Sequence, residues 1–175
     1  SVAFTGDREL LYRANMCCRT ATRILWPLGR FEAPDEKRLY AGIKRIDWSD
    51  HLDADMSLAI DAIVSHSRLT NSLYIAQLAK DAIVDQFRDS TGRRPRVDVK
   101  NPDLRINLHI HENAAAVALD ASNEPLSRRG YRTSGGKAPL SEVLAAGILG
   151  LIGYDGSVPL ADPMCGSGTI VIEAA

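Results

Sequence analysis

The stretch Ala161–Ala175, ADPMCGSGTIVIEAA, constrains this chain more than any other. Val158–Ala161 reads as a short strand that ends at Asp162. Gly166-Ser167-Gly168 then turns the chain, and Thr169 opens a helix. Glycine reaches positive φ without a Cβ penalty and lets backbone N–H groups come close to a ligand. A helix start adds partial positive charge.

Four readings of this turn compete. A phosphate-binding P-loop needs Lys directly after its second glycine, and Thr169 stands there, which excludes it. A dinucleotide turn needs a third Gly or Ala where this chain has Val171, so that match is poor. S-adenosyl-L-methionine carries an ammonium and a carboxylate at its amino-acid end. Asp162 can meet the ammonium or the sulfonium, and the loop N–H groups the carboxylate. A ligand-free strand–helix turn accounts for the same two glycines.

Composition narrows the class. With 45% hydrophobic and 25% charged residues the chain is globular. No apolar run reaches the roughly 18 residues that span a bilayer, and no leader is visible, so a membrane role is not expected and the cytoplasm is. The three cysteines, two of them adjacent (Cys17, Cys18), have no zinc spacing. No metal is expected, and nothing fixes an oligomeric state. The net charge of −1 demands no nucleic acid. The charge is uneven, however: Asp47–Asp61 holds five acids and no Lys or Arg, and Arg128–Lys137 four bases and no acid.

Along the chain, SVAFTGD reads as a strand running into a turn. Asp7 is placed to cap a helix over RELLYRANMCCRTATRILW, with Leu11, Ala14, Cys18, Ala21 and Leu25 on one face, Arg19 and Arg23 side by side, and Pro27 and Gly29 as the stop. EAPDEKRLYAGIKRIDW is a short mixed segment. Met56, Leu58 and Ile60 alternate as in a half-buried strand. SLYIAQLAKDAIVDQFRDSTG is the clearest helix, with Gly92 as its stop. Two strands, LRINLHI and AAVALDAS, follow around a turn at Glu112-Asn113, and the strands of Ser1 to about Ser122 are expected to be antiparallel throughout. NEPLSRRGYRTSGGKAPL is a linker or functional loop, and LSEVLAAGILGLIG an apolar helix.

Two basic clusters admit two readings each. Arg93, Arg94 and Arg96 follow a helix end, where they can complement its dipole or hold nucleic-acid phosphates. Arg128, Arg129, Tyr131 and Arg132 join bases to an aromatic ring, which suits phosphate contact with stacking. His109 and His111 share a strand face without a third metal ligand. Glu173 reads as a polar helix position or a partner to the glycine turn. Cys165 has no signal of a nucleophile.

DPMCGSGTIVIEAA resembles the first cofactor motif of methyltransferases that carry a THUMP RNA-binding domain. LYRANMCCRTATRIL, AKDAIVDQFRDSTGRRPRVDVKNPDLRINLHI, LDASNEPLSRRGYR and APLSEVLAAGIL resemble, in order, the large-subunit ribosomal RNA guanine-N2 methyltransferases of the RlmL family (the N-terminal half of the fused RlmKL). Members of that family are often labelled N6-adenine-specific DNA methylases.

The resemblance implies an α+β fold: a ferredoxin-like and THUMP RNA-binding region, then the start of a Rossmann-like methyltransferase domain. The implied division is 1–122 for THUMP with a partial ferredoxin-like region, 123–138 for a linker, and 139–175 for the start of the methyltransferase domain. It implies S-adenosyl-L-methionine on Asp162, Pro163, Cys165, Gly166, Gly168 and Thr169. It implies large-subunit rRNA on Arg93, Arg94, Arg96, Arg128, Arg129, Tyr131 and Arg132. The family's catalytic Asn-Pro-Pro-Tyr-type loop and its ribose-binding acid are expected beyond Ala175, which makes the chain a fragment of a longer enzyme. The rival functions are a DNA adenine-N6 methyltransferase, a tRNA guanine methyltransferase and a non-catalytic RNA-binding module.

Overall fold

The hairpin at Glu112-Asn113 sets the centre of the fold. Both residues have positive φ (49° and 63°), as the tight turn between two right-twisted strands requires. It joins β4 (Leu104–His111) to β5 (Ala114–Asp120) in an antiparallel pair. The computed structural model describes residues 2–128, 130–131 and 140–175. These residues fall into two compact units, Leu25–Asn123 and the pair Ser1–Ile24 with Glu124–Ala175.

The Leu25–Asn123 unit is a five-stranded mixed sheet in the order β1-β5-β4-β2-β3. The other strands are β1 (Leu25–Glu32), β2 (Ser57–Ser65) and β3 (Arg96–Val97), and the helices are α2 (Glu36–Lys44) and α3 (Ser72–Thr91). β1 pairs antiparallel with β5, whereas β2 runs parallel to both β4 and β3. All-antiparallel pairing is therefore corrected. The 20-residue α3 supplies the long crossover that a parallel neighbour needs. Asn71 caps α3 by accepting from Tyr74 N at 3.0 Å, and Gly92 ends it at φ 70°.

Alternation along β4 and β5 sends Ile106, Leu108, Ile110, Ala115, Val117 and Leu119 into the core. There they join Leu39 and Ile43 of α2 and Ile75, Ala79, Ile83 and Phe87 of α3. Burial of this apolar surface is the main stabilising term. Trp48 is fully buried in the same cluster and donates its ring N–H to Ile43 O at 2.9 Å. Gly42 lies so close to the Phe31 ring that an added Cβ would sit 2.1 Å from it.

In the second unit, α1 spans Arg8–Cys17, α4 Glu142–Leu151 and α5 Thr169–Ala174. Asp7 caps α1 through Leu10 N at 2.8 Å. The helix expected to run on to Trp26 stops at Cys17, because Cys18 is extended (φ −69°, ψ 118°). Arg19 and Arg23 accordingly do not share a helical face. Leu25–Glu32 is instead strand β1, where Trp26 opposes Leu119. Tertiary pairing overrides the helical spacing, and Pro27 is tolerated because β1 is an edge strand with a register shift beside it. EAPDEKRLYAGIK contains α2, with Leu39, Gly42 and Ile43 buried on one face. The strand expected in SVAFTGD is not formed over residues 2–7, nor is the one expected at Val158–Ala161. No described strand lies beside either to complete a hydrogen-bonded ladder.

Candidate cofactor turn and nucleic-acid interface

The turn after Asp162 is built by its own polar groups. Asp162 is half-buried and accepts from Met164 N at 3.1 Å, which starts the bend. Gly168 N donates to Cys165 O at 2.7 Å and closes it. Gly166 (φ 52°) and Gly168 (φ 77°) both occupy the left-handed region, so the sequence reading of this turn as glycine-dependent holds. Pro163 to Ser167 are exposed, and Thr169 behind them is 3% exposed. Ser167 Oγ stands 3.3 Å from Thr169 Oγ1. Cys165 is a free, exposed thiol.

Behind the turn, α5 carries one carboxylate, Glu173, which is only 3% exposed. A buried carboxylate needs partners that replace its lost water. Arg19 Nε and Nη2 reach Glu173 Oε2 at 3.3 and 2.9 Å, and Arg19 Nη2 also donates to the Glu173 carbonyl. The Tyr131 hydroxyl donates to Glu173 Oε1 at 3.1 Å. Sequence reading left Glu173 as either a polar helix position or a partner to the turn, and missed Arg19. The signal was there: a single carboxylate in an apolar run has to find a cation.

In the sheet unit, Arg93, Arg94 and Arg96 border one open cleft of about 500 Å³ with Ala54 and Asp55. Buried Pro95 holds the segment down between exposed arginines. Arg96 N donates to Met56 O at 3.1 Å as β3 joins the sheet edge. Arg93 pairs with Asp55, and an adjoining cleft adds Asp53 and Asp103. The fold thus sets part of the acidic stretch Asp47–Asp61 against the arginines, which no sequence spacing indicated. Asp103 is held below the usual carboxylate range, chiefly by the Ser57 hydroxyl and then by the Ser57 N–H, both at 2.7 Å.

Of the second basic cluster, Arg128 is exposed and Tyr131 half-buried, while Arg129 and Arg132 lie outside the described residues. The rings of His109 and His111 stack at 6.3 Å, and no metal-binding group of His, Cys, Asp or Glu occurs among the described residues. No helix among them is long and apolar enough to cross a membrane.

Comparison with known proteins adds the decisive match: residues 33–120 fit the THUMP domain. The chain belongs to the THUMP-domain family. Residues 129–175 of this THUMP-domain chain match the RMKL-like methyltransferase domain, and residues 1–25 match the RlmL ferredoxin-like domain. The resemblance drawn from the sequence is thereby upheld in all three segments. The chain is 44% identical over 177 residues to the ribosomal RNA large subunit methyltransferase K/L of Syntrophotalea carbinolica, covering 99% of this chain and 25% of that protein. Across the curated relatives the chain spans between 24% and 45% of their length.

Among solved structures, SMU.472 complexed with SAH is 31% identical with a TM-score of 0.85, over 97% of this chain and 45% of that one. A predicted N6-adenine-specific DNA methylase from Listeria monocytogenes gives the same identity and TM-score over 97% and 44%. These matches establish the α+β class with a THUMP domain and a methyltransferase-like portion.

Proposed function

We propose that this chain is the RNA-gripping and cofactor-turn portion of an S-adenosyl-L-methionine-dependent 23S rRNA guanine-N2 methyltransferase. The observation that carries the reading is the order of its segments: ferredoxin-like, THUMP and RMKL-like methyltransferase matches follow one another along the chain. A curated relative named for large-subunit rRNA methylation aligns over 99% of it.

Asp162, Pro163, Cys165, Gly166, Gly168 and Thr169 form one wall of the cofactor site. The donor set suits the methionine end of the ligand. Asp162 keeps Oδ2 clear of protein hydrogen bonds among the described residues, ready for an ammonium. Gly166 and Ser167 are exposed, and their N–H groups have no hydrogen bond to the protein among the described residues. When bound, the cofactor supplies an electrophilic methyl to the exocyclic amine of the target base. The part these residues play is to hold its amino-acid end; the acid–base groups belong to other segments of the protein.

Arg93, Arg94, Arg96, Arg128, Arg129, Tyr131 and Arg132 grip rRNA, with residues 1–122 as the RNA-binding region, 123–138 as the link, and 139–175 as the opening of the catalytic domain. The cytoplasm is where such a substrate is met. The test is methyl transfer from radiolabelled S-adenosylmethionine by the full-length protein carrying this sequence. Label on large-subunit rRNA, found as N2-methylguanine, supports the reading. Label on duplex DNA as N6-methyladenine, or on tRNA alone, overturns it.

A further inference from the structure

Three chain segments meet at Glu173. Arg19 comes from the stretch just after α1, whose exit is tied to the segment before the basic cluster by Leu126 N to Thr22 O at 2.9 Å. Tyr131 comes from the basic segment itself, one residue after Gly130 at φ 78°. Glu173 comes from α5, which begins where the glycine turn ends. All three belong to one compact unit.

A helix of six residues is too short to hold itself in place by its own hydrogen bonds. Its buried polar anchors are Thr169 and Glu173. Glu173 accepts from Arg19 on one oxygen and from Tyr131 on the other, and Arg19 also takes the Glu173 carbonyl. That carbonyl is one of the acceptors a helix end leaves without an intrahelical partner. The direction of α5, and with it the Gly166–Thr169 turn, is therefore fixed by this clasp. Arg19 and Tyr131 thus engage both oxygens of the carboxylate.

We infer that Glu173 is a positioning residue that locks the cofactor turn to Arg19 and to Tyr131 of the basic segment. The inference rests on the reading of that turn as the cofactor wall. It assigns the Tyr131 hydroxyl proton to Glu173 on α5.

The test uses the full-length protein with S-adenosylhomocysteine as the probe, titrated by calorimetry, and an rRNA fragment titrated separately. Arg19→Gln removes the cation, and Tyr131→Phe removes only the hydroxyl. Each is expected to weaken S-adenosylhomocysteine about tenfold, the scale of a lost hydrogen bond to a charged group. RNA affinity should hold in Arg19→Gln, since Arg19 is not among the proposed RNA contacts. Tyr131→Phe combined with Glu173→Gln should weaken the probe less than the two single effects added, because both act through one carboxylate. General loosening of the fold would weaken both ligands together and lower the melting temperature, and that result overturns the inference. So does wild-type affinity for the probe in both Arg19→Gln and Tyr131→Phe. A wild-type protein that fails to bind the probe at all overturns the cofactor reading, and the inference falls with it.

Discussion

Arg19 and Glu173 stand 154 positions apart in the chain, yet the guanidinium Nη2 of one lies 2.9 Å from a carboxylate oxygen of the other. The pair gives the apolar run after the glycine turn a fixed direction. The chain segment that looks helical from Asp7 to Trp26 breaks at Cys17. The stretch that follows is extended, and the arginine on it meets α5 rather than lying on α1.

The sheet unit has a comparable joint in Gln86. Its side-chain amide donates to Lys44 O and Ile46 O at 2.9 and 2.7 Å, and its oxygen accepts from Trp48 N at 3.0 Å. Gln86→Ala leaves three part-buried backbone groups without that partner. We expect a loss of about 1–3 kcal/mol, read as a lower denaturant midpoint with unchanged slope.

Gly42→Ala tests the closeness of α2 to β1. The new methyl would fall 2.1 Å from a Phe31 ring carbon, and an aromatic ring cannot yield by bending. Helix propensity favours Ala over Gly, so on an open helix the change would stabilise. Here we expect destabilisation by about 1–3 kcal/mol from overpacking. Adding Phe31→Leu should recover part of it.

Asp103 gives a pH prediction. Its folded pKa is depressed by the Ser57 hydroxyl and N–H. A group depressed in this way contributes stability above its unfolded pKa, near 3.9, and loses that contribution as pH falls through the lower folded value. Asp103→Asn should therefore flatten the acid limb of the stability curve below about pH 4. An acid limb identical to wild type would contradict the assignment.

For RNA, Arg94 and Arg96 should matter more than Arg93, whose guanidinium is already paired with Asp55. Replacing Arg94 and Arg96 by Ala should weaken rRNA binding and lower the salt slope by up to about 0.9 per lost duplex phosphate contact. Replacing Lys37 and Arg38 should do much less. Asp55→Asn should strengthen binding by releasing Arg93. Equal losses from both pairs would mean diffuse electrostatics.

Much of this was legible in the residues. The period of SLYIAQLAKDAIVDQF, with its Gly92 stop, marks α3, and the alternation of LRINLHI marks β4. The glycine turn was legible because two positive-φ positions one residue apart admit few residue types. Relations between distant segments were not. LWPLGRFE carries Pro and Gly, which read as a helix stop, and only pairing with β5 makes it a strand. DEKRLYAGIK is only nine helical residues from Glu36 to Lys44, too short for its period to stand out. The approach of Asp55 to Arg93 and of Arg19 to Glu173 depends on tertiary structure that no local spacing encodes.

The central claim is that the Asp162–Thr169 turn holds the amino-acid end of S-adenosylmethionine while RNA is gripped elsewhere. Asp162→Ala in the full-length protein tests it most directly, by two titrations, one with S-adenosylhomocysteine and one with a large-subunit rRNA fragment. Deleting a charge-assisted contact is worth about 1.5–3 kcal/mol, so cofactor affinity should fall about ten- to a hundredfold while rRNA affinity stays at the wild-type value. A variant that keeps wild-type cofactor affinity, or that loses RNA and keeps cofactor, would contradict the account.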